Sequence, residues 1–188
     1  NLRLAALSGP LDEVARRVDL LVAEQPWQYD AYMALAESRY RAGLEAMRSD
    51  QLDQAFELLA AAERDFEAAS RIARSLPGAY LGACRAHARQ LEIATTGRVE
   101  IREALDQVPV GCSAASDVLP GHVASYSVFA LVLERLAVRA WRAGAIAQAA
   151  EYMGSAWIDM LATAAVREAK NGPEFVDSFL DNAYCLQK

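Results

Sequence analysis

The sequence predicts an all-α fold, and three observations carry that prediction. Between Gln51 and Leu76 the apolar positions Leu52, Ala55, Leu59, Ala62, Phe66, Ala69, Ala73 and Leu76 recur at alternating steps of three and four. That period keeps one stripe on one side of an α-helix. Glycine and proline gather at a few junctions, among them Gly9-Pro10, Pro77-Gly78, Pro120-Gly121 and Gly172-Pro173, where helices would have to stop and restart. A composition of 54% hydrophobic and 23% charged residues excludes wholesale disorder. The 188 residues suffice for one domain, 1–188, that buries about 70% of the surface its unfolded chain would expose.

The elements follow in order. Ser8-Gly9-Pro10 with Asp12 and Glu13 is a helix start, combining a capping residue, a proline in the first turn and acids at the positive end of the helix dipole. Leu11, Val14, Val18 and Leu21 form its apolar face, and Pro26 ends it. The chain is then organised around a hairpin over residues 31–76, with arms from Ala31 to Arg48 and Gln51 to Leu76 turned at Ser49-Asp50. Alanines alternate with Leu and Phe along the second arm, so a neighbouring helix can approach closely at each alanine. A further helix begins near Ala79 and ends near Thr96-Gly97, and a shorter one spans Arg98 to Gln107.

Residues 108–121 hold two prolines and two glycines and are expected to be the one long irregular segment, a class of loop that is often functional. Long helices then run from His122 to Arg142 and, after a turn at Ala143-Gly144, from Ala145 to Lys170. A last helix over 173–186 would cover the open end of the array.

A net charge of −6 argues against broad nucleic-acid or anionic-membrane binding. Val118 to Leu133, the longest uncharged run, is too short for a membrane span. With Lys170 and Lys188 the only lysines, the positive charge is nearly all guanidinium, either a compositional habit of an Ala- and Arg-rich bacterial source or a fit to carboxylates. Cys84, Cys112 and Cys185 are odd in number and lack CxxC spacing, so neither a disulfide framework nor a zinc site is expected. A reducing, cytoplasmic setting is the default. The chain begins with Asn and no signal-like segment, which suggests a fragment or a processed product and keeps the periplasm open.

Leu133, Leu136, Ala137, Ala140, Gly144, Ala149, Met153 and Ala156, within 130–163, place bulky and small residues in one helix, a glycine turn, and Ala, a large residue and Ala in the next. This stretch resembles, nearly position for position, a tetratricopeptide repeat, a unit of about 34 residues whose two antiparallel helices stack on the next unit. Ala42, Gly43, Ala46, Asp50, Ala55, Leu59 and Ala62 form a second match, and the junction from Leu21 through Pro26 to Tyr32, Leu35 and Ala36 a third. Matches starting at Tyr32 and Arg39 are about two turns apart on one helix, so the hairpin arms exceed the family's length. From Tyr80 to Gln107 only the first helix of a pair is recognisable.

The resemblance implies hairpins stacked as a right-handed solenoid, with a non-repetitive bundle as the alternative. It implies a non-catalytic scaffold, with no cofactor and no metal, that binds a protein or peptide on a concave wall. Matched positions put Tyr40, Leu44, Met47, Arg48, Arg85, Arg89, Val138, Trp141 and Arg142 on that wall. Its arginines suit an acidic segment or a free C-terminal carboxylate, or they are a solvated face paired with Glu37, Glu92 or Glu134. Homo-oligomers are also compatible with such a stack.

Two other readings remain. A regulatory small-molecule pocket could be closed by residues 108–121. A cysteine enzyme could use Cys112 with Asp117 and His122, although no known signature surrounds that cysteine and a buried thiol is the simpler account. Cys84 and His87, three apart on one helix, could face a metal, but their match to core positions favours packing.

Overall fold

The structure, a computed structural model, describes residues 10–96, 110–118 and 123–156, and these contain no strand. The fold is all-helical: α1 (Leu11–Glu24), α2 (Tyr29–Arg48), α3 (Leu52–Ile72), α4 (Pro77–Thr95), α5 (Val110–Val118) and α6 (Val123–Arg142), with residues 146–156 forming a further helix, α7. The expected helices over Arg98–Gln107 and 173–186, and the last part of 130–163, lie outside the described residues.

Pro10 opens α1, its carbonyl accepting from the backbone N–H groups of Glu13 and Val14 at 3.0 Å. Val14 and Val18 then bury against Ala31 and Leu35 of α2, the face the spacing predicts. Both tight hairpin turns use one device. The N–H of Gln51 donates to the Ala46 carbonyl and that of Ala145 to the Ala140 carbonyl, each at 2.9 Å, with Asp50 (φ 56°) and Gly144 (φ 78°) in the left-handed conformation such a closure needs.

The second arm of the hairpin is shorter than its stripe. α3 ends at Ile72, and Leu76, expected to continue the buried face, is 45% exposed. Pro77 keeps Leu76 out of the helix, because its ring disfavours the helical conformation for the residue before it, and Leu76 is extended at φ −98°, ψ 115°.

Among the described helices α4 is the most enclosed. Eleven of its 19 residues are buried, more than one face can account for. It lies against α2, α3, α5 and α6. Small residues make that possible. Phe66 of α3 sits on Gly82, where an added Cβ would come within 2.5 Å of the ring. Around that ring are Ala36, Ala62, Ala83 and Ala86, all buried. A second, larger cluster joins Phe56, Leu59, Leu91, Ile93, Val132 and Leu136 across α3, α4 and α6.

Two expectations fall here. Residues 110–118 are helical where an irregular segment was expected. The glycine taken as a loop signal lies inside the helix and faces α4: a Cβ on Gly111 would stand at ordinary packing distance, 3.5 Å from the Ala83 Cβ and 3.6 Å from the Tyr80 carbonyl oxygen. Cys84 and Cys112 are joined in a disulfide, 28 residues apart in sequence, correcting the expectation that Cys112 is a buried free thiol. An odd cysteine count does not prevent two of three from pairing once α5 sets them 4.9 Å apart at Cα.

Candidate functional site

On α4, Arg85 and Arg89 are one turn apart and share a face. Tyr40 of α2 lies beside both. The Arg85 guanidinium stands 5.8 Å from the centroid of the Tyr40 ring, within range of a cation–π attraction. Glu37, nearly one turn before Tyr40 on α2, reaches Arg85 at 3.6 Å, which is an ion pair too long to be a hydrogen bond. Arg89 donates to Glu92 at 2.5 Å. Its pKa is raised above the ordinary arginine value chiefly by that hydrogen bond, with a further one to Tyr40, against the opposing effect of burial. Arg85, Glu37, Arg89 and Glu92 all keep side-chain exposures between 38% and 43%, although the Nε of Arg85 is itself buried without a hydrogen-bond partner.

Of the wall read from the sequence, the structure therefore brings Tyr40, Arg85 and Arg89 together. Met47 instead packs against the large core cluster, as Tyr40 partly does. Leu44 and Val138 are half-buried. Arg48 turns to Glu45 on its own helix at 3.0 Å. Arg142 reaches across from α6 and donates to the Thr95 carbonyl at the end of α4, where the helix dipole favours a cation. Trp141 is 65% exposed and stands off the core.

A polar group that sequence spacing could not reveal lies on the opposite side of α4. His87 and Gln90 are buried, and both face Glu63 of α3: His87 Nδ1 is 3.1 Å from Oε1, and the Gln90 amide donates to Oε2. Burial, then the neighbouring Glu63 carboxylate, raises the pKa of Glu67 one turn on. His87 thus turns to Glu63 while Cys84 is bonded to Cys112, so the two do not form a metal pair. No group of three or more His, Cys, Asp or Glu side chains is placed to hold a metal among the described residues.

Arg39 of α2 donates to Asp65 of α3 at 2.6 Å. Burial nevertheless raises the Asp65 pKa, because desolvation of the carboxylate outweighs the attraction of Arg39. The folded state thus binds this proton more tightly than the unfolded chain. Its contribution is fully present below the unfolded pKa, about 4, and is lost as pH rises through the folded value. In urea titrations between acid and neutral pH, the stability of the wild type relative to Asp65→Asn is expected to fall as pH rises. A difference that grows with pH would contradict this assignment.

A cavity of about 270 Å³ opens between α6 and α7. Leu136, Ala140 and Ala143 line its apolar part and Arg139, Gln148 and Tyr152 its polar part.

Compared with known proteins, the chain matches no protein-family model, no curated protein and no solved structure. What the fold and site define is therefore a class: an all-helical protein, cross-linked between α4 and α5, with a partly exposed cluster of two arginines on α4 and a tyrosine on α2. No described helix is long and apolar enough to cross a membrane.

Proposed function

We propose that the protein is a non-catalytic helical scaffold, its hairpins stacked in the manner of tetratricopeptide repeats, that binds an acidic peptide or partner segment. The observation that carries this reading is the cluster of Tyr40, Arg85 and Arg89, with two partly exposed arginine side chains on neighbouring turns of α4 beside an aromatic ring. Arginine presents a planar fork that fits carboxylates bidentately, and two such forks one turn apart match two carboxylates on an extended or helical segment. Glu37 holds Arg85 only loosely at 3.6 Å, so an incoming carboxylate can compete for it. Cysteine chemistry is disfavoured by the Cys112 sulfur being tied to Cys84.

A panel of acidic peptides with free or amidated C-termini tests the proposal by fluorescence anisotropy. Binding is expected for acidic members and should weaken as salt is raised. Arg85→Glu with Arg89→Glu should weaken it at least tenfold, about 1.4 kcal/mol, while the helical circular-dichroism signal is retained. Equal binding by wild type and the double variant would exclude this face as the docking surface.

A further inference from the structure

Cys84 lies in the middle of α4 and Cys112 in the first turn of α5. Their exposures are 1% and 0%, and both belong to the buried cluster that contains Ala88, Leu91 and Val132. α5 is nine residues long and lies against both α4 and α6, so its docking closes protein around the bridge. Thiol–disulfide exchange requires a thiolate to reach a sulfur of the oxidant and form a mixed disulfide. In the folded chain neither sulfur can meet another protein, and apolar surroundings disfavour the thiolate that would have to attack.

We infer that Cys84 and Cys112 are a site of oxidation on the still-open chain: a disulfide-bearing redox protein of an oxidising compartment forms the bridge before α5 docks. One cysteine thiolate attacks the oxidant's disulfide, forming a mixed disulfide and releasing one oxidant thiolate. The second cysteine thiolate then attacks the chain's own sulfur in that mixed disulfide, and the other oxidant thiolate leaves. Two electrons pass to the oxidant, which ends as a dithiol, and the two cysteine protons go to solvent or to the departing thiolates. The cytoplasm, the default from the cysteine count, keeps thiols reduced and does not favour this step.

The test uses the full chain with oxidised glutathione as the oxidant. Chain recovered from an oxidising compartment, denatured and alkylated without reductant, should take up one alkyl group at Cys185, and peptide mapping should join Cys84 to Cys112; three alkyl groups would overturn the inference. Reduced chain diluted from denaturant should form the bridge at least tenfold faster when the oxidant is present from the start than when it is added after folding is complete. Equal rates would mean that the folded state admits the oxidant and would overturn the proposed order. A reduced chain that cannot fold until oxidised supports that order equally. Dithiothreitol should reduce the bridge at least tenfold more slowly in buffer than in denaturant, and equal rates would refute the shielding on which the order rests.

Discussion

Gly82→Ala is expected to lower the unfolding free energy by about 2 kcal/mol, although alanine is the better helix former. In an open helix the exchange would stabilise by about 1 kcal/mol. Here the new Cβ would stand 2.5, 2.5 and 2.7 Å from three ring carbons of Phe66, a side chain with no exposed surface and therefore nowhere to swing. Either the ring leaves its rotamer or α3 and α4 separate, and overpacking of this kind costs about 1–3 kcal/mol, here taken at the upper end before the helix gain is subtracted.

Two companion variants isolate the cause. Gly154, where nothing lies within 4 Å of an added Cβ, should gain from the same exchange up to about 1 kcal/mol. Phe66→Leu combined with Gly82→Ala should cost less than the sum of the single changes, because the smaller side chain yields the space. Urea unfolding measures all of them. A Gly82→Ala variant at least as stable as the wild type would mean that α4 does not lie on Phe66.

Replacing both Cys84 and Cys112 with alanine should have the larger effect, a loss of about 3–4 kcal/mol. Closing a loop between residues 28 apart removes that much chain entropy from the unfolded state on the loop-closure account. The urea dependence should steepen as well, since an unfolded chain without the cross-link exposes more surface. Hydrogen exchange should quicken first in α5, which has nine residues and loses its covalent tie to α4. A cost below about 1 kcal/mol would place the stabilisation of α5 in its packing on α4 and α6 instead.

The helices were legible because burial of a helix leaves a periodic trace. Val14 and Val18 of α1, and Ala55, Leu59, Ala62, Phe66 and Ala69 of α3, are buried as their spacing requires. The turns at Asp50 and Gly144 were legible for a local reason, the backbone conformation that each must adopt. The extent of α4 was legible but its burial was not, because a helix covered on several sides needs apolar or small residues all round, and that erases the stripe. α5 was missed because the glycines and prolines of 108–121 were taken together as loop signals, whereas Gly111 lies inside a helix and packs towards α4.

For the candidate site the division is similar. Arg85 and Arg89 could be placed on one face of one helix from their spacing, and Tyr40 on another, but only packing set Tyr40 beside them and gave the arginines to Glu37 and Glu92. Arg48 and Arg142, read as part of the same wall, were drawn away to Glu45 and to the carboxyl end of α4. By itself, then, the sequence determined what is periodic or local: that the chain is helical, where most described helices start and stop, and which way the stripes of α1 and α3 face. Tertiary structure decided the partners separated by tens of residues, Cys84 with Cys112, Phe66 with Gly82 and His87 with Glu63. Side-chain period fixes a direction around one helix axis, whereas partnership depends on how close and at what angle two axes meet, which the shapes of many side chains set together.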